Sequence, residues 1–169
     1  MISIQPVEYK QKPIWRNLLE LYKYDFREFD PEDDINPNGL YEYPYLDHYF
    51  TEAGRFAFFI KVEEKLTGFA LVRCIGENEQ NEKVYEMAEF FVMKKYRGLK
   101  CGQTAAYELF NTFNGVWKVA EMEMNVPAQK FWRKIGLAYP YTALAGGVRQ
   151  YARGRRTSCR HLSSTGLYC

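Results

Sequence analysis

The 169-residue chain predicts a single mixed α/β domain, and three observations carry that expectation. Stretches in which apolar side chains alternate every second residue are interspersed with stretches in which they recur every three or four. Glycine, proline and asparagine fall between those stretches, where turns are needed. The length is close to the ~150 residues usual for one domain, enough to bury a core without disulfide or metal staples. Apolar contact surface is plentiful, with 14 Tyr, 12 Phe and 3 Trp.

Taken in order, the alternation of Ile2, Ile4 and Pro6-Val7 predicts a first strand. Pro13 suits a first helical turn, and the helix it opens carries Ile14, Leu18, Leu21, Tyr22 and Phe29 on one stripe before Asp30-Pro31 ends it. Residues 32–39 are an acidic loop rich in Asn, Pro and Gly, and a second helix is predicted over 45–52. The period then changes: residues 55–62 and 68–75 are β-rich runs joined as a hairpin by Glu63-Glu64-Lys65-Leu66-Thr67. A polar turn over 76–83 leads to a third run, 84–93, dense in aromatic and branched residues. The next helix presents Ala105, Ala106, Leu109, Phe110 and Phe113 on its apolar side and stops at Asn114-Gly115. Residues 116–122 predict another strand. A last helix over 125–136 has Pro127 in its first turn, Ala128, Phe131, Trp132 and Ile135 on one face, and Gly136 as its stop. The order is β-α-α-β-β-β-α-β-α, with no internal repeat.

Composition narrows the function classes. No apolar run approaches the ~18 residues of a membrane helix, and the first residues lack the basic end and apolar block of a signal peptide, so no membrane partner is expected. Cys74, Cys101, Cys159 and Cys169 form no CxxC pair, and His48 and His161 are the two histidines. That argues against a structural zinc site or a disulfide framework and for a reducing, cytoplasmic setting. Charge is unevenly spread. All 21 acidic residues and 15 of the 23 basic ones lie in 1–123, whereas 124–169 holds the other 8 basic residues and no acid.

The chemistry-bearing unit is the strand, basic glycine-containing loop and helix at 84–114. A helix start offers free backbone N–H groups and partial positive charge, both suited to phosphate. Gly98 and Gly102 let the backbone approach a ligand closely or take positive φ, and Lys94, Lys95, Arg97 and Lys100 add cations. By spacing alone this is either a pyrophosphate cradle or an ordinary strand-to-helix connection with solvated lysines. Neither GxxxxGK[ST] nor GxGxxG occurs.

The segment Glu89-Phe90-Phe91-Val92 followed by Tyr96-Arg97-Gly98-Leu99-Lys100-Cys101-Gly102 resembles motif A of the GNAT superfamily of N-acetyltransferases, of the small bacterial type. That motif is [QR]-x-x-G-x-[GA], and Arg97, Lys100 and Gly102 occupy its fixed places. Lys100 stands where the family usually has glycine, which the loop accommodates if φ there is negative. Downstream, residues 125–136 resemble the family's N-x-x-A-x-x-x-Y-x-x-x-G helix: Asn125, Ala128 and Gly136 fit, and Trp132 replaces the tyrosine often cast as general acid. The likeness covers residues 2–136, the acetyltransferase core, and leaves 137–169 as a separate basic segment.

The resemblance implies a mostly antiparallel central sheet flanked by helices, and transfer of an acetyl group from acetyl-CoA to an amine. Backbone groups of Phe91, Val92 and Met93 would then bind the pantetheine arm in the manner of an added strand. The N–H groups of Gly98, Leu99, Lys100, Cys101, Gly102 and Gln103 would bind the pyrophosphate, with Arg97 and Lys100 near its charges. Asn125 would sit near the pantetheine, and Trp132 would pack by the thiol. A homodimer is common in the family.

An ammonium must lose a proton before it can attack, which calls for a base. Glu89, an acid within an otherwise apolar strand, is the catalytic candidate, the alternative being a structural carboxylate bonded to backbone or a tyrosine. Glu86, three residues away, points to the opposite side of a regular strand. The Trp132 indole cannot give up a proton, and core packing at helical spacing is its competing role. The leaving thiolate would be protonated by water or an unidentified tyrosine. Cys101 and Cys74 fit structural roles. Residues 22–52 interleave Asp25, Glu28, Asp30, Glu32, Asp33, Asp34, Glu42, Asp47 and Glu52 with tyrosines. This is either a lining for a small cationic amine or a solvated acidic face, with His48 a surface or capping residue.

From Leu137 onward every basic residue is arginine, and weak strand signals lie at 139–144 and 148–152. These are either the family's final strands, incomplete, or a tail not native to the fold. Arg153-Gly154-Arg155-Arg156 lacks the aromatic interleaving of a nucleic-acid site. The rival to an amine acetyltransferase is an acyl-CoA-binding domain of the same fold without turnover.

Overall fold

A computed structural model describes residues 1–30, 32–138, 141–143 and 148–152. Seven strands among them form one sheet: β1 (Ile2–Pro6), β2 (Arg55–Val62), β3 (Lys65–Glu77), β4 (Lys83–Val92), β5 (Val116–Ala120), β6 (Tyr141–Ala143) and β7 (Val148–Ala152). Their spatial order is β1-β2-β3-β4-β5-β7-β6. Of these pairs only β4 and β5 are parallel; the other neighbours run antiparallel, as the family resemblance implies. The parallel pair needs a crossover, which α3 (Cys101–Thr112) supplies. The remaining helices are α1 (Lys12–Phe26), α2 (His48–Thr51) and α4 (Val126–Ala138).

Two apolar layers close over the sheet. On one face, Trp15, Leu18, Leu19, Tyr22 and Phe26 of α1 pack with Tyr49 of α2 on Phe59, Phe69, Leu71 and Phe91. On the other, Ala106, Leu109 and Phe110 of α3 and Trp132 and Ile135 of α4 cover Phe58, Ala70, Val72, Met87 and Trp117. Burying each such large side chain contributes about 1.5–3 kcal/mol, so the aromatic content is the main source of cohesion. The α1 stripe is rotated from the predicted one: Trp15, Leu19 and Phe26 face the core, while Ile14 and Leu21 are 44% and 50% exposed. Five residues spaced at i, i+3, i+4, i+7 and i+11 from Trp15 satisfy the helical period better than the predicted set.

Other boundaries differ for physical reasons. The second helix is four residues rather than eight, because turns fill 44–47. Gly136 does not stop α4, which runs on to Ala138. The β2–β3 loop is only Glu63-Glu64, since Val62 pairs with Lys65. Both glutamates take left-handed backbone, with φ of 49° and 65°, as a two-residue hairpin turn demands. Neither is Asn or Gly, so the sequence carries no tight-turn signal. In the C-terminal segment β7 pairs with β5 from Val116↔Ala152 to Ala120↔Val148. The arginine cluster at 153–156, Cys159, His161 and Cys169 lie outside the described residues.

Two local features shape β4. Leu71 pairs with Glu89 but Val72 pairs with Met87, so Ala88 is an extra residue bulged out of the ladder. The bulge shifts the alternation by one and puts Glu86 on the same face as Glu89, not the opposite one. Arg73, which lies two residues beyond Leu71 and pairs with Glu86, holds that carboxylate with Nε 2.8 Å from Oε2. Near the strand end, a Cβ at Gly68 would lie 1.9 Å from the Phe91 carbonyl oxygen, so only glycine lets β3 approach there.

Two stability changes follow, both measurable by thermal unfolding. Gly68→Ala forces β3 and β4 apart and should cost about 3 kcal/mol, or roughly 6–12 °C in Tm for a domain this size; an unchanged Tm would contradict the close approach. The pair Glu63→Asn with Glu64→Gly relieves two left-handed glutamates and should raise Tm by roughly 2–4 °C for each ~1 kcal/mol recovered. A fall in Tm would mean that the turn is not of this type.

Candidate active site

β4 and β5 pair only from Val84↔Val116 to Met87↔Val119. Beyond that point β5 has one further residue and β4 five, so among the described residues the edge of β4 over 88–92 has no strand beside it on the β5 side. The gap is a cavity of about 440 Å³, walled by β4, by the end of α1, by the start of α3 and by α4. Strand geometry turns alternate backbone groups of this edge toward the gap instead of into β3, and Arg97 Nε holds one of them, the Val92 carbonyl.

The loop from β4 to α3 forms one end of the cavity. A single 3-10 turn, Lys94–Tyr96, leads to Gly98, whose φ of +80° favours glycine. Lys100, the cap of α3, also sits in the left-handed region, with φ +61° and ψ 3°. The condition under which the loop accommodates Lys100, a negative φ, is therefore not met: the residue takes a backbone suited to the glycine of the family motif, at a cost of about 1 kcal/mol. The first intrahelical bond runs from the Thr104 N–H to the Lys100 carbonyl at 2.9 Å. The N–H groups of Cys101, Gly102 and Gln103 precede it and have no intrahelical acceptor. Gly102 leaves little room: a Cβ there would meet the Phe131 ring at 3.3 Å.

Arg97 does more than lend charge. Its Nε donates to the Val92 carbonyl at 2.7 Å, its Nη2 donates to Asp25, and Lys94 Nζ lies 2.7 Å from the other Asp25 oxygen. Burial alone would raise the Asp25 carboxyl, but Lys94 and Arg97 draw it below its ordinary value. The end of α1 is thus tied to the end of β4 and to the loop.

Glu89 is buried, at 8% exposure. Tyr22 donates to its Oε2, and the Tyr43 hydroxyl donates to Oε1 at 3.3 Å. Burial pushes the carboxyl up to about 8, against the two tyrosine donors and the charges of Lys23 and Arg73. Burial and the Glu89 charge together push the Tyr49 phenol up to about 12 and raise Tyr43 as well, so both remain protonated. The arrangement can hold a carboxylate that takes up a proton near neutral pH.

The cavity brings together most of the expected set. Phe91, Val92, Arg97, Gly98, Lys100, Gly102, Gln103, Asn125 and Trp132 line it. Glu89, Met93, Leu99 and Cys101 do not. Met93 spends its N–H on the Thr67 carbonyl at 2.8 Å and its own carbonyl on Tyr96 at 2.9 Å. Cys101 is packed with Ile60, Val92 and Ala105, its sulfur 3.6 Å from the Thr67 hydroxyl, and Leu99 is 67% exposed. Asn125 caps α4, its Oδ1 accepting the Ala128 N–H at 3.0 Å. Trp132 is 2% exposed and meets Phe90 edge-on at 5.2 Å, which makes it core as well as wall. Of the acidic stretch, Asp25 and Glu28 reach the cavity. Asp33, Asp34, Asp47 and Glu52 are held by Lys23, Arg27, Lys12 and Arg55, so the stretch is mostly an ion-paired surface. The Tyr22–Glu89 bond was invisible in the sequence: 67 residues separate its partners.

Three solved structures illustrate the fold. An acetyltransferase from Thermus thermophilus superposes with a TM-score of 0.64 at 13% identity, over 89% of this chain and 95% of that one. A ribosomal-protein-alanine N-acetyltransferase from Brucella melitensis biovar Abortus 2308 gives 0.58 at 13%, over 86% and 98%. An aminoglycoside acetyltransferase from an uncultured soil metagenomic sample, in complex with sisomicin, gives 0.61 at 13%, over 97% and 95%. No curated protein sequence matches the chain significantly. The profile of the acetyltransferase (GNAT) family, however, matches residues 15–137, a span that contains most of α1, the Glu89 strand, the glycine loop and nearly all of α4. The chain therefore belongs to the acetyltransferase (GNAT) family and is an enzyme of that family.

Proposed function

We propose that this enzyme moves an acetyl group from acetyl-CoA to a primary amine of a small, cationic compound, with Glu89 as the base. The observation that carries the reading is the parting of β4 from β5 beside the start of α3. An extended chain bearing amides fits the open β4 edge that ends at Val92, whose carbonyl Arg97 already holds, and a pyrophosphate fits the first-turn N–H groups of Cys101, Gly102 and Gln103. Lys100 and Lys134 stand on the cavity wall and supply positive charge. Asn125 and Trp132 shape the α4 side.

Acetyl-CoA supplies a thioester reactive enough for direct attack, so the protein's own work is to position the amine and take its proton. Glu28 on the cavity wall favours a cation, whereas the Asp25 charge is already met by Arg97 and Lys94. Glu89, buried and close to neutral in its titration, accepts the proton that the ammonium must lose. Two of the structural neighbours are named for amine acceptors, an aminoglycoside and a protein alanine, which makes both classes reasonable probes. Among the described residues no helix is long and apolar enough to cross a membrane.

Calorimetric titration should show micromolar binding of acetyl-CoA and of CoA but not of ATP; absence of both would remove the cleft assignment. Turnover is measured with acetyl-CoA and three probes: spermidine, kanamycin and a peptide with N-terminal alanine. Wild-type kcat/KM should rise with pH and level off above about 8, the range in which Glu89 loses its proton. Glu89→Gln should lower kcat by about 100-fold or more while leaving acetyl-CoA binding unchanged. A variant with the wild-type rate and pH profile would take the base role away from Glu89.

A further inference from the structure

The base is buried, and that raises the question of how a proton reaches it. Glu89 does not line the cavity; neither does Tyr43, its partner at 3.3 Å. Tyr22 both lines the cavity and hydrogen-bonds Glu89. Its ring is fixed between Phe26, Phe69 and Phe91, with centroids 5.4, 5.6 and 5.7 Å away, so the phenol has little freedom to swing aside. Tyr22, 4% exposed, is thus the residue that both contributes to the cavity wall and bonds the carboxylate through its hydroxyl.

We propose that Tyr22 is the proton relay of this site, carrying the substrate's proton from the cavity to Glu89. This rests on the acetyl-transfer reading above. In the step, the ammonium N–H bond breaks as the Tyr22 oxygen takes the proton. The Tyr22 O–H bond breaks as its original proton passes to Glu89 Oε2. The products are a neutral amine, a neutral phenol and a protonated carboxyl, so one proton has moved and no charge is left on the tyrosine. The amine nitrogen is then free to attack. After transfer, the proton returns along the same two bonds to the cavity and solvent.

The surroundings support a relay more than a simple brace. The groups facing the carboxylate come from several elements: Tyr22 and Lys23 from α1, Tyr43 from the loop before α2, Tyr49 from α2 and Arg73 from β3, with Glu86 paired to Arg73. Tyr43 already holds Oε1, so bracing the carboxylate does not require Tyr22. The distinctive property of Tyr22 is that it both lines the cavity and bonds the base.

The test compares Tyr22→Phe with wild type, using acetyl-CoA and the acceptor among spermidine, kanamycin and the alanyl peptide that turns over best. Loss of the hydroxyl should lower kcat by about 100-fold, leave the acetyl-CoA Kd within about twofold, and abolish the plateau above pH 8. The rate would then keep climbing with pH as solvent supplies free amine. Retention of kcat within about threefold, with the plateau intact, overturns the relay while leaving the acetyl-transfer reading standing. An inactive wild type that also fails to bind acetyl-CoA overturns both. Because Tyr22→Phe alters a core position, fluorotyrosines at residue 22 provide a second measurement that preserves the packing. The relay requires kcat to change several-fold as phenol acidity changes, and a flat response overturns it.

Discussion

The structure depends on two parallel strands that pair for four residues and then separate. β4 continues to Val92 and β5 ends at Ala120, so the sheet is whole at Val84↔Val116 and open beyond Met87↔Val119. The Ala88 bulge lies where the pairing ends, and extra twist is what a bulge supplies. From that separation come an uncovered edge of backbone, a cavity beneath it and a helix start aimed along it. No large loop or added domain is needed to build the site.

The parting would be costly if nothing held its two sides, and each face of the sheet contributes a tie. On one face, the aromatic layer of Phe90, Phe110, Trp117 and Trp132 spans β4, α3, β5 and α4 without filling the gap. On the other, α1 fastens the β4 side alone: Tyr22 bonds Glu89 in the strand, and Asp25 bonds Arg97 and Lys94 in the loop. Arg97 completes the tie by holding the Val92 carbonyl. The helix that supplies Trp15, Leu18, Leu19, Tyr22 and Phe26 to the core on its face is also the one that fixes the polar groups of the site.

What the sequence revealed, and what it withheld, follows from the range of the interactions involved. Strand and helix periods are local, so the element order and most boundaries were legible, as was the glycine loop opening α3. Glu89 draws attention because an acid in an apolar strand stands out against its neighbours. The bulge at Ala88 was not legible, since it depends on how β3 pairs, and it reversed the expected facing of Glu86. The tight Glu63-Glu64 turn was hidden because glutamate is a poor marker of left-handed backbone. The two readings of the acidic stretch could not be separated in sequence, because its partners Lys12, Lys23, Arg27 and Arg55 are near only in space, and pairing removes much of its net charge. Tyr22 looked like one more apolar contact on a helix, and only the fold gives it a carboxylate.

The buried carboxyl of Glu89 has a consequence for the stability of the whole molecule. The folded protein holds its proton up to about pH 8, whereas an exposed glutamate releases it near 4.5. Folding is thus favoured by this group below the ordinary carboxylate range, and the benefit is lost as pH rises through about 8. Alkaline conditions that strip the proton from Glu89 also place an ion inside an apolar layer. This group supports the fold least over the range in which its carboxylate is ionised, so the base role proposed for Glu89 would set activity against durability at a single side chain.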